Sequence, residues 1–148
     1  MTVVLLDTNV LVYAFDRGEP EKRERAMQLV LDLQQNAAGC ISVQSLSEFF
    51  HAVTRGAKPK LSVDEALQAV QECLLAFPIF LLTPSVVLEA ARGVNDYSLS
   101  FYDSQLWACA MINDIPVIFS EDFQDGQVID GIRFVNPFVE NFELEKWI

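Results

Sequence analysis

Short apolar runs of strand length alternate with longer stretches of helical periodicity, and this constrains the chain more than any other feature. Thr2 to Leu6 opens the pattern and ends at Asp7, as a strand buried on both faces would. Thr8 or Asn9 can cap a first helix through Phe15. Pro20 then starts a second helix to about Gln35, with Met27, Leu29, Val30, Leu31 and Leu33 as its apolar face, and Gly39 stops it. Cys40 to Val43 reads as the second strand. Ser45 and Glu48 have the S-x-x-E spacing of a capping box at the head of a third helix ending near Arg55. After a turn over Gly56 to Leu61, Ser62 and Glu65 repeat that spacing for a fourth helix to about Ala76. Ile79 to Leu82 is a third strand, and Pro84 opens a helix to about Arg92. Another helix spans Tyr102 to Asn113, Pro116 to Phe119 is a fourth strand, and Ile132 to Val135 is a weaker fifth. The expected class is α/β, three-layer α/β/α, with a mainly parallel central sheet of four to five strands.

Composition supports one domain over residues 1–148: 51% of the residues are apolar, 21% are charged, and six Gly and six Pro leave no room for a linker or repeat. Cys73 to Leu82 is the longest nearly unbroken apolar run, but Pro78 interrupts it and it is too short for a bilayer crossing, so no membrane association is expected. The first residues lack the basic start of a secretory signal. Cys40, Cys73 and Cys109 form no CxxC pair or Cys/His cluster, and predict three buried thiols in a reducing, cytoplasmic setting.

A net charge of −11 repels phosphate backbones and favours a basic partner or a cation. The charges are segregated. From Asp96 onward ten acidic residues face only Arg133 and Lys146, whereas seven of the ten basic residues fall in two segments, Arg17 to Arg25 and Arg55 to Lys60. Those segments could hold flanking phosphates.

In parallel α/β sheets, ligands bind beyond the carboxyl ends of the strands. Asp7 follows the first strand, Glu48 lies on the helix after the second, and Asp122 follows the fourth. Asp103 starts the helix that feeds the fourth strand, at the same edge. Four carboxylates from distant parts of the chain are thus expected to converge. Their mutual repulsion demands compensation, and carboxylates without His or Cys select Mg²⁺ or Mn²⁺. Such an ion can lower the pKa of a water and neutralise a phosphoryl transition state.

The blocks Leu5-Leu6-Asp7-Thr8-Asn9-Val10-Leu11, Ser47-Glu48-Phe49-Phe50, Tyr102-Asp103-Ser104-Gln105-Leu106 and Ser120-Glu121-Asp122-Phe123-Gln124-Asp125-Gly126 resemble, in order and spacing, the PIN-domain ribonucleases, and among them the VapC-like toxins of toxin–antitoxin modules. The resemblance runs from about Val3 to Asn136. It implies a Mg²⁺ or Mn²⁺ site on Asp7, Glu48, Asp103 and Asp122, with Asn9 and Ser120 in support and Asp125 as an accessory acid. Asp7 and Asp103 would hold the ion most directly. Ser104 stands where such sequences usually have Ala. The resemblance also implies endonucleolytic hydrolysis of RNA, a homodimer, and an antitoxin whose C-terminal segment covers the N-terminal helices. Arg17, Arg55 and Lys58 are the candidate RNA contacts.

Each residue also has a purely structural reading. Asp7 can be an N-cap, Glu48 half of a capping box, Asp103 a partner of the helix dipole, and Asp122 a turn former. His51 reads as a packing or hydrogen-bonding residue, and Phe49, Phe50, Phe101 and Trp107 read as core. The tail from Glu140 to Glu145 reads as a solvated face, with Phe142, Leu144, Trp147 and Ile148 able to dock on a partner. A haloacid-dehalogenase-type phosphatase would use Asp7 as nucleophile but wants a second Asp where Asn9 stands. A phosphorylated receiver domain would need an acidic pair at the first strand end and a Lys after a late strand, whereas Asp7 stands alone in its block and the only late Lys is Lys146. A PIN-fold protein that binds RNA or partners without cutting remains open.

Overall fold

The structure, a computed structural model, describes residues 2–148. In chain order the elements are β1 (Val4–Leu6), α1 (Thr8–Tyr13), α2 (Pro20–Gln35), β2 (Gly39–Ser42), α3 (Val43–Thr54), α4 (Val63–Ala76), β3 (Ile79–Phe80), α5 (Pro84–Tyr97), α6 (Phe101–Ile112), β4 (Val117–Phe119), β5 (Val128–Ile129) and β6 (Ile132–Val135). They form a six-stranded sheet in the order β3-β2-β1-β4-β6-β5. All pairings are parallel except the β5–β6 hairpin, which closes one edge.

Both faces of the sheet are covered, which is why its central strands are continuously apolar. Val4, Leu6, Val117 and Phe119 point into one core with Val10 and Leu11 of α1, Leu29 and Leu33 of α2, Phe49 and Val53 of α3, and Ala66 of α4. Leu5 and Ile118 point the opposite way, into a core with Val86 and Ala90 of α5 and Leu106 and Trp107 of α6. The layers are therefore α/β/α, as the alternation predicts.

α5 and α6 lie against each other at a glycine. A Cβ on Gly93 would collide with Ser104 Oγ and with the Trp107 ring, at 2.8 Å from its Cζ3. The Ser104 hydroxyl donates to the Ala90 carbonyl at 2.6 Å, so the residue that replaces the usual Ala stitches the two helices together.

Several boundaries differ from expectation. α3 begins three residues early because Ser42, extended at φ −86° and ψ 151°, accepts from the Ser45 N–H at 3.1 Å and is the true N-cap. Ser45–Glu48 is therefore no capping box, and Glu48 is left free to point elsewhere. The Ser62–Glu65 box is formed in both directions. The sheet has six strands rather than four to five, because β5 is a two-residue strand with too little sequence to show a period. Cys40 and Cys109 are buried and Cys73 is only half-buried; burial pushes their thiols up to about 12, 11 and 11 respectively, so all three are poor nucleophiles. Phe49 and Trp107 are core residues, Phe50 packs on the core from its edge, and Phe101 is exposed. The tail is not a solvated face alone: Phe142, Leu144, Trp147 and Ile148 pack on the chain's own first core. Among the described residues no helix is long and apolar enough to cross a membrane.

Candidate active site

The sheet order fixes where a site can form. From β1 the chain crosses to β2 on one side, while β4 lies on the other, so the crevice beyond the β1 and β4 ends is a topological switch point. Asp7 and Ser120 are the first residues past those ends. The Asp7 N–H donates to the Phe119 carbonyl at 3.0 Å, and the Ser120 N–H to the Val135 carbonyl at 3.0 Å, so backbone pairing sets both side chains.

Asp7 is 7% exposed and accepts three hydrogen bonds: from the Thr8 N–H at 2.7 Å, the Ser120 hydroxyl at 2.7 Å and Asn9 Nδ2 at 3.4 Å. It is both the N-cap of α1 and the centre of the site. Burial pushes its carboxyl up to about 7, against the lowering effect of the Ser120 and Thr8 bonds; the nearby Asp122 and Glu48 charges add to the rise.

Asn9 Nδ2 reaches Asp122 Oδ2 at 3.1 Å and Ser120 Oγ at 3.2 Å, while Asn9 Oδ1 accepts from the Glu121 N–H. The Asp122 N–H donates to Ser120 Oγ at 3.1 Å. Asn9 and Ser120 thus place two neutral groups between the carboxylates of Asp7 and Asp122. On the other side, Glu48 Oε2 accepts from the Thr8 hydroxyl at 2.9 Å and Glu48 Oε1 from Gln44 Nε2 at 2.8 Å.

Asp103 is half-buried in the first turn of α6 and makes no hydrogen bond to the other acids among the described residues. Its neighbour Tyr102 accepts from the same Gln44 Nε2 at 3.1 Å, which sets the start of α6 beside the Glu48 arm. Gln105, 5% exposed, donates to Gln44 Oε1 at 2.7 Å.

The donor set consists of carboxylate, hydroxyl and amide oxygens without His or Cys, which suits a hard divalent cation. Asp7 suits one as well: with its carboxyl pushed up to about 7 by burial, it is only partly ionised at neutral pH, and a nearby positive charge would favour its charged form. Among the described residues no three Asp, Glu, His or Cys side chains are gathered closely enough to hold a metal ion, so the expected convergence of all four carboxylates is not complete in this structure.

Other expected residues lie elsewhere. Asp125 Oδ1 accepts from the Asn136 N–H at 2.8 Å and anchors its loop to the end of β6. His51 is exposed and lies 3.1 Å from Arg55 Nη1. Arg55 closes α3, and Lys58 is exposed in the following turn; neither lines the cavity that Arg17 shares with Arg23 and Lys60.

Sequence reading missed Thr8 as a partner of Glu48, and missed Gln44, Gln105, Tyr13, Lys22 and Glu121. Glu121 accepts from the Tyr13 hydroxyl and from Lys22 Nζ at 3.0 Å, and Lys22 Nζ lies 4.7 Å from the Tyr13 ring centroid. This clasp holds the loop carrying Asp122 against α1 and α2. A buried Gln within the apolar run of α6 was the one available signal for the Gln105 contact.

Comparison with solved structures gives the same architecture. A toxin–antitoxin complex from Klebsiella pneumoniae aligns with a TM-score of 0.66 at 20% identity, covering 91% of this chain and 98% of that one. A DNA-bound VapBC from Salmonella typhimurium aligns at 0.64 with 18% identity, covering 90% and 97%. A sarcin–ricin loop cleaving toxin from Mycobacterium tuberculosis aligns at 0.62 with 16% identity, covering 80% and 91%. No curated protein sequence matches the chain significantly. The PIN domain profile matches residues 4–124, which is most of the chain, and the chain belongs to the PIN domain family.

Proposed function

We propose that the protein is a Mg²⁺- or Mn²⁺-dependent endoribonuclease and the toxin of a toxin–antitoxin module. The observation that carries this reading is the coupling of Asp7, Glu48 and Asp122 through Thr8, Asn9 and Ser120 at the switch point of the sheet. Similarity in fold to toxins of such modules, one of them described as cleaving the sarcin–ricin loop, supports it. Membership of the PIN family removes the basis for a phosphatase of the haloacid-dehalogenase type.

In this reading Asp7 and Asp103 hold the cation, and Glu48 and Asp122 complete the acidic ring. When bound, the cation supplies charge neutralisation at the scissile phosphate and makes water a better nucleophile. The protein's own part is orientation. Ser120 and Asn9 fix the Asp7 carboxylate, while Thr8 and Gln44 fix both oxygens of Glu48, leaving that side chain one rotamer in which to receive a proton from the attacking water.

The antitoxin is expected over α1 and α2. An apolar groove of about 600 Å³ lies there between Leu11, Phe15, Met27, Leu31, Phe49 and Leu75, and it would accept an amphipathic segment. The charge of −11 suits a basic partner, whose side chain could enter the acidic site. A homodimer belongs to the same reading.

Incubation of the purified protein with structured RNA, with and without Mg²⁺ or Mn²⁺, tests the proposal. Metal-dependent endonucleolytic cuts that vanish in Asp103→Asn are the expected result. RNA left intact under every metal condition, or cut equally in EDTA, would overturn it.

A further inference from the structure

The two basic segments that stand apart in sequence meet in space. Arg17 and Arg23 from the first and Lys60 from the second line one polar cavity of about 380 Å³, bounded on the far side by α4. We propose that this cavity binds phosphodiester groups of the RNA strand outside the scissile position. The inference rests on the nuclease reading and adds to it the place where the strand is gripped.

Three observations support it. First, the cations are available. Among the described residues, Arg17 and Arg23 form no ion pair, and Arg23 Nε is buried without a hydrogen-bond partner. That nitrogen is closed to solvent; the outer guanidinium nitrogens of Arg23 are the ones a ligand in the cavity can reach. Lys60 is held only loosely, 3.9 Å from Asp16.

Second, cations outnumber acids in the cavity. Glu65, which accepts from the Ser62 N–H in its capping box and feels the Arg17 charge, and Glu72, which accepts from Gln68 Nε2 at 3.1 Å, stand against Arg17, Arg23 and Lys60, so the cavity is net cationic.

Third, the cavity shares the first turn of α2 with the site. Lys22 is bonded to Glu121, which adjoins Asp122, so this turn is pinned beside the active site. Arg23, the next residue, points about 100° away around the helix and lines the cavity, so one turn of α2 serves the site on one face and the cavity on another. On a chain carrying −11, this placement would localise phosphate attraction to one side of the cut.

The test uses a fluorescently labelled RNA hairpin and the full chain carrying Asp103→Asn, with binding followed by anisotropy between 50 and 200 mM KCl. Adding Arg17→Ala and Arg23→Ala should weaken binding about tenfold and make the slope of log K against log salt shallower by roughly one to two, as expected for lost phosphate contacts. Lys146→Ala, on the C-terminal segment, should leave both unchanged. If the double variant fails to fold, Arg17→Ala with Lys60→Ala replaces it. Unchanged affinity and slope in a folded variant would overturn the inference alone, whereas RNA left uncut by the unsubstituted protein would overturn the nuclease reading and this inference with it. Inorganic phosphate that displaces the RNA from the parent at constant ionic strength, and not from the variant, would support the assignment, because such competition requires the strand to occupy the same cavity.

Discussion

Ser120 Oγ donates to Asp7 Oδ2 at 2.7 Å, joining the ends of β1 and β4 where the connections leave the sheet in opposite directions. The same oxygen accepts from Asn9 Nδ2 and from the Asp122 N–H, so one hydroxyl positions two carboxylates. Groups that orient metal-binding side chains in this way typically change affinity by 10- to 100-fold when removed.

Ser120→Ala should therefore lower Mn²⁺ affinity by about tenfold while the fold survives, since the cavity left by one hydroxyl is small. Calorimetric titration of Mn²⁺ into the variant is the direct measurement. Affinity equal to that of the unsubstituted protein would show that Ser120 is only a structural link between two strand ends.

Asp7 links stability to pH. Its carboxyl has an ordinary value of 3.8 and is pushed up to about 7 in the fold by burial. The folded state thus favours the protonated form, so the stability Asp7 contributes is complete below about pH 4 and is lost as pH rises through about 7. In EDTA, Asp7→Asn removes this titration. The variant should match the unsubstituted protein near pH 4 and be more stable near pH 8, by up to about 4 kcal/mol. Denaturant midpoints at the two pH values check the sign. Mn²⁺ should raise the midpoint of the unsubstituted protein near pH 8 and that of the variant much less.

The elements that proved legible in sequence are those with a local cause. β1 and β4 are buried on both faces and read as unbroken apolar runs, and the Ser62–Glu65 box is a contact between residues three apart. The position of Asp7 follows from the same locality, because the end of a buried strand is visible in the sequence. What stayed hidden depends on distance along the chain. Gln105 and Gln44 are separated by 61 positions, and Lys22 and Glu121 by 99, so no window of sequence holds both partners. The start of α3 was misplaced for a different reason: Ser42 and Ser45 are both good caps, and only the end of β2 at Ser42 decides between them.

Gln105 offers a test of orientation apart from chemistry. It donates to Gln44, which in turn donates to Glu48 and to the Tyr102 carbonyl. Gln105→Leu keeps the volume and the apolar surroundings but frees the Gln44 amide to rotate, so Glu48 loses a fixed donor. Thermal stability should change little, RNA KM should hold, and kcat should fall by roughly tenfold, the scale for misplacing a proton-transfer group. Unchanged kcat would confine the glutamine pair to packing α3 against α6.

Gly93 tests the packing that holds α6, and with it Asp103, in place. A methyl group there has no room: it would meet Ser104 Oγ and the Trp107 ring, and Trp107 is itself fixed by a 3.1 Å hydrogen bond from its indole N–H to the Ile129 carbonyl. Neither neighbour is a flexible side-chain end, so α5 and α6 must separate. That would also stretch the bond from Ser104 to the Ala90 carbonyl. The helix-propensity gain of Ala over Gly, about 1 kcal/mol, opposes this but is smaller than the overpacking cost of about 1–3 kcal/mol plus the weakened hydrogen bond. Gly93→Ala should therefore destabilise the protein by roughly 1–3 kcal/mol, read from the urea midpoint. Gly93→Ala with Ser104→Ala should recover part of the loss, because the closest clash is with the hydroxyl that the second substitution deletes. A double variant no more stable than the single one would place the strain on Trp107 instead.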